Sequence, residues 1–384
     1  MKKYLYVICA VFAVNYCSYA QIVKFTVIGD IMAHDNLQEF ALATPEGYSV
    51  LFNTTRDIFL SDDITFANLE VPIRDDRDIS GFPLFNAKSG LVKAVKEAGI
   101  DMLSLANNHS IDQGYEGISS TIDAVEREGL IYAGTGKTPA EAKKAKIFLK
   151  NGITFGFIAA TFYLNGIYMK EKEDAPYAYL VEIDNTDDID EFCERIRQTK
   201  AATDFTIVSY HFGVEYSRKP LDSHVKVVEK LANSGGDLIL GHHPHVLHEI
   251  KYFKTTDGRN SLIFYSLGNF ISAQARYLGN PDADPEKLYD SLLTRTAESL
   301  VAQFDVVKLD GRTSIVNVSA IPFFNMRYVY KSGDKTYDGF ELRRMKDIIA
   351  GDDLSDDKFR KNAKLFKEIV LYRLNEIFKN ILKF

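Results

Sequence analysis

Between residues 25 and 266, short apolar runs alternate with helical patterns, and this alternation narrows the choice of folds more than any other feature of the chain. FTVI (25–28), ITFA (64–67), MLSL (102–105), TFGFIA (154–159), FTIVSY (205–210), LIL (238–240) and LIFYS (262–266) read as buried strands. They are short and rich in β-branched and aromatic side chains. SGLVKAVKEAG (89–99) reads as a helix in which Ser89 is placed to cap, Leu91, Val92, Val95 and Ala98 share one face, and Gly99 is the stop. YEGISSTIDAVEREG (115–129) repeats the design with Ile118, Ile122 and Val125 inward, and LDSHVKVVEKLANSGG (221–236) repeats it again. Strands alternating with helices of this length specify a layered α/β domain.

Five of these strands end in a metal ligand or proton carrier. FTVI runs into Gly29-Asp30, ITFA into Asn68-Leu69-Glu70, MLSL into Asn107-Asn108-His109, FTIVSY into His211, and LIL into the run GHHPHVLH (241–248). In α/β sheets, sites form in the crevice outside the carboxyl ends of the strands. One or two such coincidences would mean little; five point to an active site.

The donor types suit zinc, manganese or iron: carboxylate oxygen, amide oxygen and imidazole nitrogen, without a thiolate set. His243 and His245 are two apart, so in an extended segment both point to one side while His242 points to the other. His248 falls outside the cluster. Each residue has a plainer reading beside the functional one: Asp30 as a helix cap, Glu70 as the partner of an arginine, Asn107 and Asn108 as turn formers. GTGKT (134–138) lacks the upstream glycine of a phosphate-binding loop, since Ile131 stands there, and no G-x-S-x-G elbow occurs.

Beyond these segments, residues 1–20 read as an export leader: Lys2 and Lys3 precede an apolar stretch, and Ser18 and Ala20 suit cleavage after Ala20. Its removal leaves Cys193 as the one cysteine, in EFCERIRQ, where packing is its expected role. The net charge of −7, with no basic stripe, argues against a nucleic-acid surface. We therefore expect a leader (1–20), a main domain (21–325) and a helical extension (326–384). In the last of these, Leu365, Ile369, Leu374, Ile377 and Ile381 form an apolar stripe after the acidic GDDLSDD (351–357). The location expected is periplasmic or at the cell surface.

Taken together, GDIM (29–32), FANLEVPI (66–73), SLANNHSIDQGYEGI (104–118), SYHFGVEY (209–216), GGDLILGHHPHVL (235–247) and YSLGNFI (265–271) resemble, in this order, the CapA family of capsule and poly-γ-glutamate biosynthesis proteins. That family is in turn similar in fold to calcineurin-like metallophosphoesterases. The resemblance implies a four-layer β-sandwich flanked by helices, with one or two divalent ions (Mn, Fe or Zn) at the strand ends. It further implies Asp30, Glu70, Asn108, His211, His243 and His245 as ligands. His109 is implied as proton donor to a leaving group, Asp112 as its orienting carboxylate, and Glu215 as a base or supporting carboxylate. Asn107, Tyr216 and Asn269 are implied as substrate contacts. Two positions depart from the two-metal pattern: Met32 stands where a histidine is usual, and Glu70 where an aspartate is.

The function expected on these grounds is an exported metal-dependent hydrolase or transferase acting on an amide or phosphoester bond of an envelope polymer. Its partners would be an anionic polymer or its peptide or phosphoester fragments, together with capsule-export machinery. The competing expectation is a polymer-binding or assembly protein that uses the same crevice without turnover.

Overall fold

The computed structural model describes residues 20–274, 289, 291–332, 335–351 and 363–382. The expected leader and the acidic segment 351–357 therefore lie outside the described residues except at Ala20 and Gly351. Along the first half of the chain run β1 (Gln21–Ile31), β2 (Ile64–Leu69), β3 (Met102–Ser104), β4 (Ile131–Ala133), β5 (Thr135–Gly136), β6 (Lys146–Lys150), β7 (Ile153–Thr161) and β8 (Tyr177–Ala178). The second half adds β9 (Phe205–His211), β10 (Leu238–His242), β11 (Ile250–Lys254), β12 (Asn260–Phe264), β13 (Asn269–Ile271), β14 (Glu298–Leu309), β15 (Arg312–Ser332) and β16 (Lys335–Arg344).

Two main sheets result. The first has the order β16-β15-β14-β1-β2-β3-β4, with β13 also pairing β1; the second has the order β11-β12-β10-β9-β7-β6. β1 to β4 are mutually parallel, as are β7, β9, β10 and β12, so their carboxyl ends gather at one edge of each sheet. Phe25, Phe66, Phe155, Phe157, Phe205, Leu238, Leu262 and Phe304 fill the space between the sheets. A second cluster packs the outer face of the first sheet against the helix Gly90–Glu97, and a third packs the outer face of the second sheet against Thr186–Ala201 and Asp222–Asn233. Three apolar seams between helices, sheet, sheet and helices make the four layers, as the alternation of elements requires.

The strands fall where the sequence places them. Strands such as β9, buried at every position, carry continuous apolar runs because both faces are covered. The helix stops also hold: Gly99 and Gly129 adopt φ of +101° and +66°, a region that favours glycine. Ser89 does not cap through its side chain. It occupies the expected position, but Asp75 Oδ1 accepts its backbone N–H at 2.8 Å instead. Cys193 is fully buried among apolar side chains, consistent with a packing role.

The boundary at residue 325 needs correction. It falls inside β15, and residues up to Arg344 continue the first sheet as strand rather than helix. Phe324 and Met326 face the central seam, while Phe323, Phe340 and Leu342 join the outer one. Alternation of period two therefore overrides the charge that suggested a helix here. Helical structure begins at Met345, and the terminal helix Ala363–Asn380 buries Ile369, Val370 and Ile377.

Candidate metal centre

Each carboxyl end delivers its polar residue because the backbone there is free to leave the strand. Gly29 lets the 267–268 backbone pass, since a Cβ on it would lie 1.9 Å from Gly268 O. Gly241 does the same for residue 265, with a Cβ 2.3 Å from Tyr265 O. Asp30, at the end of β1, is then brought against β2, β13 and the histidine run.

Asp30, Glu70 and His211 are fully buried, and one ligand atom from each lies within 4.8 Å of the others. Glu215, His243 and His245 form a second such group, with Glu215 exposed. The groups adjoin: His245 Nδ1 is 3.3 Å from Asp30 Oδ2 and His245 Nε2 is 3.8 Å from Glu70 Oε1, while His211 Nε2 is 3.6 Å from the same Glu70 oxygen. Asn108 Oδ1 reaches His211 Nε2 at 2.8 Å, so its amide oxygen faces the same box. All six expected ligands therefore converge. Glu215 stands beside them, close enough to His243 and His245 to be a candidate ligand as well as the base or supporting carboxylate expected.

The reason given for His243 and His245 also needs correction. They do not lie in an extended run; their φ values are +98° and +56°, left-handed for non-glycine residues. The turn through Pro244, not strand alternation, aims both rings into the box. Strained backbone of this kind persists where the surroundings dictate it and is concentrated at functional sites. His248 lies apart, as expected, with Nε2 2.8 Å from Ser217 O.

The electrostatics fit a cation. Burial pushes the Glu70 carboxyl well above its usual range, and the charges of Asp30 and Glu215 push it further. Burial also raises Asp30, but bonds from His242 and His245 outweigh it and hold that carboxyl well below its usual range. Burial lowers His211 strongly and His243 to about 3, which keeps these rings neutral and able to ligate. Glu70 Oε1 and His243 Nδ1 are buried without a hydrogen-bond partner, and Asp30 Oδ2 and His245 Nδ1 face only each other, at 3.3 Å. Buried polar atoms are ordinarily paired. Carboxylate oxygens and imidazole nitrogens gathered in these two adjoining groups suit a hard or borderline divalent ion.

Beside the box, His109 Nδ1 lies 2.7 Å from Asp112 Oδ2. A carboxylate only accepts, so Nδ1 carries the proton and Nε2 is left for transfer to a substrate. Asp112 Oδ2 also accepts the Phe85 N–H at 2.8 Å, and the Phe85 ring stands edge-on to His109 with centroids 4.6 Å apart. Asn165 joins the dyad to the box: its Oδ1 accepts from Asn108 Nδ2 at 2.9 Å, and its amide lies 3.2 Å from His109 Nδ1.

The expected substrate contacts fare differently. Asn107 is turned inward, donating to Leu69 O at 2.8 Å and accepting the His109 N–H at 3.2 Å, so it shapes the loop rather than meeting a substrate. Asn269 pairs with Asp30 across β13 and β1; its Nδ2 donates to Thr296 O and Gln274 Oε1, leaving Oδ1 buried without a partner. Tyr216 packs its ring 6.0 Å from His245, and burial pushes its hydroxyl up to about 12.

Two supporting residues were given no role from the sequence. Asn68 Nδ2 donates to Asp30 Oδ1 at 2.9 Å and to Glu70 Oε2 at 3.1 Å, holding the carboxylates together. It sits two residues before Glu70 on β2, so strand alternation alone places both on one face. His34, which follows the GDIM segment, packs its ring 5.0 Å from Phe85 and is lowered by burial to about 4. Met32 points into the outer apolar seam, not into the box.

Fold and site together define a layered α/β protein with a candidate divalent-metal centre at the strand ends and a histidine–aspartate dyad beside it. More particularly, the chain belongs to the bacterial capsule synthesis protein PGA_cap family, whose model matches residues 24–274. It is 30% identical over 309 residues to the capsule biosynthesis protein CapA of Bacillus anthracis, covering 76% of this chain and 66% of that one. It is 27% identical over 295 residues to the PGA biosynthesis protein CapA of Bacillus subtilis (strain 168), covering 75% and 68%. The chain thus spans about two thirds of the length of these relatives. Among solved structures it is similar to the calcineurin-like phosphoesterase YfkN from Bacillus subtilis, with 14% identity and a TM-score of 0.42 over 93% of this chain and 99% of that one.

Proposed function

We propose that this chain is an exported, metal-dependent hydrolase or transferase that cleaves an amide or phosphoester bond in an anionic capsule or envelope polymer. The observation that carries the reading is the His109–Asp112 dyad lying beside a buried box of unpaired ligand atoms. Asp30, Glu70, His211 and Asn108 would hold a cation on the inner side, and Glu215, His243 and His245 on the outer side. Such a cation supplies Lewis acidity to a scissile carbonyl or phosphoryl oxygen.

The chain's own residues do the rest. Asn269 Oδ1 and the Tyr216 hydroxyl orient the polymer. Water, or an acceptor amine or hydroxyl in the transferase case, adds to the scissile carbon or phosphorus. His109 Nε2, bare while Nδ1–H donates to Asp112, takes the proton of that nucleophile and hands it to the leaving group as the bond to it breaks, while Asp112 keeps the ring oriented through Nδ1. Membership of a capsule-synthesis family, together with the leader-like sequence pattern of residues 1–20, supports action outside the cytoplasm beside capsule-export machinery.

The test is the metal content of residues 21–384 purified without chelator or nickel resin, beside a His243→Ala/His245→Ala variant and a His109→Ala variant. One or two equivalents of Mn, Fe or Zn are expected, lost in the double variant and retained in His109→Ala. The latter should lose roughly 10²–10⁴-fold in turnover of γ-glutamyl peptides or phosphoesters. A wild-type chain that takes up no metal even on reconstitution would sink the reading. Full metal with no turnover of either substrate class would leave the polymer-binding alternative standing in its place.

A further inference from the structure

Three of the four histidines in residues 241–248 meet the metal box, His242 through Asp30 and His243 and His245 as ligands. His248 is buried too, with 1% of its surface exposed, yet its bond goes elsewhere. Its Nε2 lies 2.8 Å from the Ser217 carbonyl oxygen, which only accepts, so Nε2 carries the proton and Nδ1 is bare. That Nδ1 is buried without a hydrogen-bond partner among the described residues. Burial lowers the ring to about 4 in spite of the Ser217 bond, which raises it, so the imidazole is neutral around pH 7. An orphaned buried acceptor costs about 1–3 kcal/mol, which an apolar side chain would avoid. What the histidine adds in return is the bond to Ser217.

Ser217 closes the turn that carries Glu215. Its N–H donates to Val214 O at 3.1 Å, and Tyr216 within the turn adopts φ of +63°, left-handed for a non-glycine residue. Val214 and Glu215 are exposed, so burial does little to hold the tip. Three hydrogen bonds tie this segment to the histidine run instead. Phe212 N–H donates to His242 O at 3.0 Å, Tyr216 N–H to Pro244 O at 2.9 Å, and His248 Nε2–H to Ser217 O. The first precedes Glu215 in the chain and the other two follow it, so its backbone is fixed on both sides. Only the last of the three depends on a side chain.

We propose that His248 is a positioning residue whose Nε2–H latches the Val214–Ser217 turn and so sets Glu215 beside His243 and His245. That Glu215 there meets a cation rests on the function proposed above; the latch itself does not. An exposed carboxylate on a loose turn would have to be ordered each time an ion bound, and a turn already latched avoids that cost. Residues that orient a ligand in this way commonly carry about 10–100-fold in metal affinity.

The test is a cycle of His248→Leu and Glu215→Gln in residues 21–384, read as Mn or Zn affinity by competition with a chelator. His248→Leu should weaken binding roughly tenfold in the otherwise wild-type chain and not at all beside Glu215→Gln, because its effect passes through that carboxylate. His248→Gln, whose amide N–H can reach Ser217 O, should recover most of the loss. A merely structural role would weaken both backgrounds alike and leave Gln no better than Leu. Either result overturns the proposal, as does metal affinity indifferent to His248→Leu. Amide exchange in excess chelator reads the latch without any ion. Residues 214–217 should exchange roughly tenfold faster in His248→Leu while β9 stays protected as in wild type, and unchanged exchange in the turn would also overturn the latch. Unfolding midpoints are taken on the same samples, with His248→Met as the second apolar variant should leucine not fold. A chain that takes up no metal yet shows the faster exchange would uphold the latch and defeat the metal reading, so the two fail separately.

Discussion

The two ends of the sheets both gather titratable groups and treat them in opposite ways. At the amino ends of β7 and β9, a cavity of about 970 Å³ is lined by Lys200, Asp204, Asp237, Asp257 and Arg259 among others. These charges answer one another. Asp237 receives Lys200 at 2.7 Å, Arg259 at 2.9 Å and the Thr206 N–H at 2.8 Å; Asp257 receives Arg259 at 2.7 Å, and Asp204 receives Lys308 at 2.7 Å. At the carboxyl ends, Asp30, Glu70 and the histidines are more deeply buried, yet keep unpaired ligand atoms aimed at one another. The end with the large cavity is the satisfied one. Unsatisfied donors, not volume, mark the site, because a folded chain tolerates buried unpaired charge only where something else completes it.

The sharpest way to break this contrast is to substitute one acid at each end. Glu70→Gln keeps the shape and an acceptor for Asn68, but removes a charge whose near neighbours Asp30 and Glu215 are also negative. Metal affinity should fall by more than about 100-fold, the upper range for disturbing a ligand's support alone. The metal-free chain should be as stable as wild type, or more stable by about 1 kcal/mol, as expected where function is held against stability. Titration calorimetry and urea unfolding in chelator read the two quantities. A metal-free chain clearly destabilised by Glu70→Gln would show that the box is an ordinary satisfied core. Asp237→Ala should do the reverse, leaving metal binding untouched and costing about 2 kcal/mol in urea unfolding, since it leaves the Thr206 N–H unpaired and takes one partner each from Lys200 and Arg259, which keep Asp204 O and Asp257.

How much of this was legible in the sequence follows from which forces act locally. The four layers were, because burial on both faces writes continuous apolar runs such as FTIVSY, and glycine stops write themselves at Gly99 and Gly129. The gathering of Asp30, Glu70, Asn108, His211 and the histidine run was legible because parallel strands bring their carboxyl ends together wherever they lie in the chain. What failed depended on neighbours distant in sequence. The sequence groups residues 326–344 with the helical extension, yet they pair with strands already in the sheet. The left-handed turn at His243 and His245 is fixed by packing around Pro244, including the close approach of Gly213. Asn107 and Asn269 differ only in which backbone groups the fold sets beside them. Asn68 is the avoidable omission, since alternation with Glu70 puts it on the same face.

The smallest expected effect tests whether the satisfied end is satisfied by structure or merely by proximity. Lys308 on β14 reaches across to Asp204, which precedes β9, so this pair ties one sheet to the other; the two side chains are 22% and 24% exposed. Asp204 Oδ2 separately accepts the Thr154 N–H at 2.8 Å, so Lys308→Met leaves that carboxylate with a partner. Partly solvated pairs contribute little, and the loss should stay below about 1 kcal/mol. Its pH dependence has a definite sign. Burial raises the Asp204 carboxyl, but Lys308 and the Thr154 N–H outweigh it and hold it below its usual range. A carboxyl depressed in the folded state stabilises above its unfolded value, about 3.9, and stops doing so as pH falls through the folded one. The gap between wild type and Lys308→Met should therefore be present at pH 7 and close as the solution is acidified below that range. A gap that persists in acid would assign the loss to the packing of the lysine stem along β14 instead of to its charge.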